Sequence, residues 1–229
     1  MYYKYFLIPL IFLVSCDSYE NTKLSKDNLK VIEINEEEIH QTIDLSQFVE
    51  SISYLILKTP NTFISSIEDI KVFEQKIFVY EKQKSRILIF DAISGEIILR
   101  IQSQGQGPEE YNDITFFDIN EKNRTVVIYD LRGGAIYNFQ FNGSFQSRLP
   151  ARVICRDFSM ANDGGYYFYS PDETNTFNDN LIQPGLLYMN KNGNELSNLI
   201  PIESEQYYPL LGSGKSMLKS EDYVSFPLV

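Results

Sequence analysis

Three turn glycines, Gly95, Gly143 and Gly193, stand 48 and then 50 residues apart, and each separates two apolar runs of strand-forming residues. A chain that repeats such a unit builds one supersecondary piece several times over. The β architecture with that period is the propeller blade of about 50 residues. Asn142-Gly143 and Asn192-Gly193 are strong hairpin signals, because both central residues of a tight turn must tolerate positive φ; Ser94-Gly95 serves the first copy.

The spacing predicts a four-stranded meander in each copy, with strands A to D in chain order. In the first, the strands run over 67–73, 76–81, 86–91 and 96–102. In the second they run over 114–120, 125–130, 135–141 and 144–149, and in the third over 153–160, 165–170, 186–190 and 194–202. The blades are thus 67–102, 114–149 and 153–202, with an incomplete fourth over 207–229 whose A and B strands fall at 216–219 and 223–228. Residues 51–58 predict one more strand, which in a closed ring would complete the last blade; that blade is expected to be missing here, and with it the strand's natural partner. Many strands are apolar at successive positions, as in Ile77-Phe78-Val79-Tyr80 and Val126-Val127-Ile128-Tyr129. Sheets covered on both faces have this pattern, whereas a one-sided sheet alternates. Sixteen Tyr, sixteen Phe and no Trp suit wide gaps between sheets. The expectation is an all-β chain: a β-propeller of four-stranded antiparallel blades, about three blades plus part of a fourth, truncated from a longer ring.

The first sixteen residues stand apart from this pattern. Lys4, the apolar stretch 6–14 and then Ser15-Cys16 resemble a bacterial lipoprotein signal over 1–16, with Cys16 as the lipidation site. Residues 17–30 are polar and aperiodic, a tether for a domain over 31–229. The expected location is the bacterial cell envelope, with the membrane held through the N-terminal lipid. A net charge of −11 argues against nucleic acid as a partner. Once Cys16 is acylated, Cys155 stands alone in an apolar run, an inert thiol with no disulfide partner. The single histidine, His40, precedes the repeats, which removes His-ligated zinc and His-based triads from them.

In a meander the B–C loops and the crossovers between blades leave from one end, and the tight hairpins from the other. The long segments all fall at the first end: 82–85, 105–111, 131–134 and the insertion 171–185. Long loops on a compact scaffold are where binding concentrates. The candidate binding residues there are Arg86, Glu109, Glu110, Tyr111, Arg132, Asp172 and Asn178. Arg86 and Arg132 suit an anionic ligand, with ion pairs to Glu81 and Asp130 as the alternative use. Glu109 and Glu110 form a carboxylate pair, but one of them is expected to brace the crossover above a packed Tyr111. The oxygen-rich insertion makes Ca²⁺ the one candidate cofactor, although it lacks a ligand loop of recognised spacing.

Leu45 to Leu57, the first blade, and Gly105-Gln106-Gly107-Pro108-Glu109-Glu110-Tyr111 together resemble the six-bladed β-propeller lipoprotein family of Bacteroides-type bacteria. Lys84 to Asp91 with a later glycine is similar to an NHL repeat, with Glu81 standing where that pattern carries Asp. The resemblance implies a six-bladed ring and an envelope location, and assigns no activity. The sequence itself shows no catalytic constellation. The expected function is therefore a lipid-anchored, extracytoplasmic, non-catalytic module that binds a glycan, peptide or protein through the long-loop face. The rival is a carbohydrate-active or lactone-type hydrolase or lyase, with a site of carboxylates, with or without Ca²⁺, gathered at the propeller axis.

Overall fold

The structure, a computed structural model, describes Asp44, Ser46, residues 49–61 and 63–202, and the backbone of Leu218–Lys219 and Val224–Ser225. The chain divides into two units, Met1–His40 and Gln41–Val229, and every described residue lies in the second. The signal, Cys16, the tether and His40 lie outside the described residues, as does most of the fourth unit.

The chain is all-β and built from four-stranded antiparallel sheets. The first sheet takes β1 (Ile67–Phe73), β2 (Lys76–Glu81), β3 (Arg86–Asp91) and β4 (Ile97–Ile101) in sequence order. The second takes β5 (Phe116–Asn120), β6 (Thr125–Asp130), β7 (Ala135–Gln140) and β8 (Phe145–Pro150). The third is made of β9 (Asp157–Met160), β10 (Tyr166–Ser170), β13 (Gly185–Met189) and β14 (Leu196–Pro201). Between its B and C strands the segment expected as a loop folds into a hairpin of its own, β11 (Asn175–Phe177) and β12 (Asn180–Ile182). Asn178 and Asp179 make its turn at φ of 48° and 63°, a left-handed backbone that Asn and Asp tolerate better than most residues. Beyond the third sheet, β15 (Leu218–Lys219) pairs antiparallel with β16 (Val224–Ser225), inside the A and B strands expected of a fourth unit.

The sheets pack face to face because their strands are apolar on both sides. Phe78, Tyr80, Ile87 and Ile89 of the first sheet meet Ile119, Val126, Ile128 and Phe139 of the second. Val127, Tyr129 and Ile136, on the opposite face of the second, meet Phe158, Phe168, Leu187 and Met189 of the third. Alternate residues of a strand thus serve two different cores. Each fully buried aromatic or aliphatic side chain contributes roughly 1.5–3 kcal/mol to this packing.

The turn glycines have a packing reason as well as a conformational one. Gly143, at φ 84°, lies against Leu99 of the sheet before it, and Gly193, at φ 68°, against Leu149. A Cβ would come within 2.9 and 2.8 Å of those leucines. The repeat period is therefore the spacing at which one sheet's C–D turn fits over its neighbour's D strand.

Residues 51–58 differ from expectation. Only Lys58 makes a bridge, parallel to Glu96, with its N–H donating to Gly95 O at 2.8 Å. The rest of the segment makes no ladder with any described strand, and Ile52, Tyr54 and Ile56 are exposed.

Candidate functional site

At the loop-bearing end, the residue closing each B strand organises the chain around it. Tyr80 and Tyr129 occupy the second-last strand position; their hydroxyls donate to Ile114 O and to Val153 O (2.5 Å for Tyr129), and the Tyr129 oxygen also accepts from Val153 N at 2.9 Å. Each tyrosine thus holds the backbone that enters the following sheet. Burial raises both phenols above their ordinary range, so they stay protonated donors.

The next residue collects donors. The fully buried Glu81 accepts from Ser65 N and Oγ at 3.1 and 2.9 Å and from Arg86 Nε at 2.6 Å. Burial pushes its carboxyl up, but the Ser65 and Arg86 hydrogen bonds outweigh this and hold it below its ordinary value of 4.5. Asp130 accepts from Asn112 N and Gly133 N, both at 2.7 Å. Ser170 accepts from Asn175 Nδ2 at 2.9 Å, and the same side chain's Oδ1 accepts from Ile154 N at 2.7 Å.

Most of the residues expected to bind ligand are committed to this framework. Arg86 is buried on Glu81, the ion-pair alternative. Glu110 accepts from Gly107 N at 2.8 Å and fills the space that a Cβ on Gly105 would occupy, so it is the glutamate that braces the crossover. Tyr111 is buried beneath it, donating to Ser85 O at 2.8 Å and accepting from Ser103 N at 3.2 Å. Asp172 pairs with Arg156. Asn178 sits in the exposed turn of the β11–β12 hairpin. Glu109 and Arg132 are exposed, and Arg132 makes no ion pair with Asp130, whose carboxylate the backbone of Asn112 and Gly133 occupies. The structure brings these seven residues to one end but not to one point. In the insertion, Asp172 and Asn175 are tied to Arg156 and Ile154. Among the described residues no group of three or more His, Cys, Asp or Glu lies close enough to hold a metal. Cys155 is free and half-buried, its thiol pushed up by burial.

A concavity among the described residues lies elsewhere. A cleft of about 600 Å³ opens where the three A strands approach one another, towards the hairpin end, lined by residues that include Lys71, Phe73, Asp118, Asn120, Lys122 and Asn162. Two of its lining residues, Lys71 and Asp118, belong to a polar row built by register. Lys71 faces Phe78, Asp118 faces Val127 and Ser159 faces Tyr167. Those three partners each lie two residues before the last tyrosine of their B strand, so Lys71, Asp118 and Ser159 hold the same place in successive sheets. Lys71 Nζ stands 2.9 Å from Asp118 Oδ1, and its ammonium lies 5.7 Å over the Phe117 ring. Asp118 Oδ2 accepts from Ser159 Oγ at 3.0 Å and from Met160 N at 2.8 Å, and Oδ1 also accepts from Ile119 N at 2.8 Å. Four donors surround this carboxylate.

These residues went unrecognised in the sequence. The available signal was Asp118 inside Phe116-Phe117-Asp118-Ile119, since an acid in a doubly covered strand must be paired. Its partners could not be named without the register between sheets.

A family model described as a domain of unknown function (DUF4934) matches residues 29–227. A crystal structure of a candidate exported protein from Bacteroides fragilis is similar in fold, with a TM-score of 0.64 at 15% identity, covering 78% of this chain and 49% of that one. The chain thus spans about half the length of that structure. A DUF4221 member from Bacteroides vulgatus aligns with a TM-score of 0.44 at 13% identity, over 59% of this chain and 43% of its own. No curated protein matches. Among the described residues no helix is long and apolar enough to cross a membrane.

Proposed function

The chain belongs to the DUF4934 family, and we propose that its sheets are consecutive blades of a six-bladed β-propeller, lipid-anchored at Cys16 in the cell envelope, that binds a ligand in the cleft between the inner strands without transforming it. The repeated tyrosine contact and the row Lys71–Asp118–Ser159 support the propeller, since both recur at the same place from sheet to sheet. Residues 51–58 fit an outer strand of a preceding blade: Gly95 packs against this segment, on the Ile56 backbone carbonyl, at the turn equivalent to the one where Gly143 packs on the Leu99 side chain.

The observation that carries the binding role is the engagement of Asp118. An axial carboxylate held by four donors shapes a cleft as part of its framework, which favours binding over the hydrolase or lyase alternative. Glu109, Arg132 and Asn178 remain exposed at the other end, and with Leu181 on the inserted hairpin they suit a second contact with a protein partner.

The test is thermal-shift screening of the full chain against glycan fragments and short peptides, repeated on Asn120→Ala and on a deletion of 175–182. A stabilisation lost in the first variant and kept in the second is expected. A shift lost only on deleting the hairpin would move the site to the loop end. Conversion of the bound compound to products would replace the binder with an enzyme.

A further inference from the structure

Resting on the cleft as the binding site, we propose that its ligand is an uncharged oligosaccharide. The argument begins with charge. The described lining carries Lys71 and Lys122 against Asp118 and Glu121, so the cleft has no net field to select an ion. Lys71 and Asp118 face each other at 2.9 Å, and the Asp118 oxygens already accept from two backbone N–H groups and a serine. A charged ligand entering here would compete with a formed ion pair and pay its own desolvation. Glu121 and Lys122 lie in the exposed four-residue turn between β5 and β6, where solvent screens them and a contact to either is weak.

What remains is neutral hydrogen bonding beside apolar surface. Asn120 and Asn162 are the neutral polar residues of the lining. Asn123 N donates to Asn120 Oδ1 at 3.0 Å, which fixes that amide, and its Nδ2 makes no hydrogen bond among the described residues. Val72, which is exposed, and the partly buried Phe73 add apolar surface to the lining, whereas Ile119 and Met160 are buried in the cores between the sheets. Hydroxyls that both donate and accept, on a ring with one face of C–H groups, match the oriented Asn120 amide beside the apolar side chains of Val72 and Phe73. A volume of about 600 Å³ lies within the range of small-ligand pockets, roughly 300–1,000 Å³, and accommodates a few sugar rings.

The experiment is calorimetric titration of the full chain with tetrasaccharides of glucose, mannose and galactose in several linkages, with tetragalacturonate, and with tetra-alanine. Binding of at least one neutral tetrasaccharide is expected, with an affinity that changes less than about twofold between 0.05 and 0.5 M NaCl, because no ion pair is formed on binding. Asn120→Ala should weaken it about five- to tenfold, the loss of one hydrogen bond, and Lys122→Ala less than about twofold. Tighter binding of tetragalacturonate or tetra-alanine, abolished by Asn120→Ala, would overturn the ligand class while keeping the cleft as the site. Neutral binding that Asn120→Ala leaves untouched, or no binding of any of these probes, would overturn the proposal and, with it, the cleft.

Discussion

The two ends of the sheets are built by different means. At the loop end, polar side chains are turned inward onto the backbone: Tyr80, Tyr129, Glu81, Asp130 and Asn175 each hold a segment passing between strands or sheets. At the hairpin end, turns as short as Glu74-Gln75 close the strands, and the polar residues of the turn 121–124 face solvent or the cleft. Length of connection therefore predicts framework here rather than ligand contact. A long crossover must satisfy many backbone donors, and the side chains nearest to it are the ones recruited.

The sharpest break of this contrast is the same substitution at each end. Glu81→Ala should cost about 3–5 kcal/mol in denaturant unfolding, because it leaves the buried Arg86 guanidinium without its partner. Glu121→Ala, in an exposed turn, should stay within about 0.5 kcal/mol. Comparable losses at both positions would erase the distinction. The pH dependence follows from the same carboxylate. Its folded pKa lies below its ordinary 4.5, so its contribution is present above that value and is lost as pH falls through the folded value. Glu81→Gln should flatten that part of the stability curve.

A second break concerns the tyrosine contacts. Tyr129→Phe keeps the ring that stacks on Phe158 and removes only the oxygen shared by Val153 N and O. Two buried backbone groups are then left unpaired, and a loss of about 2–3 kcal/mol is expected from thermal unfolding. A loss near zero would mean that packing alone joins the second sheet to the third.

How far the sequence carried this picture depended on whether a feature was local. Strands such as 76–81, 86–91 and 125–130 were legible to the residue, since each is a short apolar run bounded by turn residues. The inserted hairpin was not, because Asn175 to Ile182 is polar and its pairing is fixed by Asn175 reaching back to Ile154. The segment 51–58 has the composition of a strand but meets no ladder partner among the described residues. The cleft was the least legible: Lys71, Asp118 and Ser159 look like ordinary strand residues until the register aligns them.

The hairpin end has a constraint of its own, of backbone shape. Gly143→Ala should cost about 1–2 kcal/mol, combining a left-handed φ of 84° with a Cβ 2.9 Å from Leu99, whose side chain can shift. The cost should fall if Leu99 is shortened to Ala in the same chain, after allowance for the cavity. If it does not, the glycine serves its turn alone and the repeat period has no packing origin.

The smallest expected effect is the most discriminating for the loop end. Arg132 is exposed between β6 and β7 and stands beside an Asp130 already filled by two backbone N–H groups. Arg132→Ala should therefore leave stability within about 0.5 kcal/mol, unlike Arg86→Ala, which strands the fully buried Glu81. Two arginines bordering equivalent loops would then differ several-fold in cost, according only to whether the acid ending the B strand accepts from a side chain or from backbone. If Arg132→Ala destabilised the fold as much as Arg86→Ala, the loop end would hold its arginines alike, and Arg132 could not be counted among the residues open to a partner.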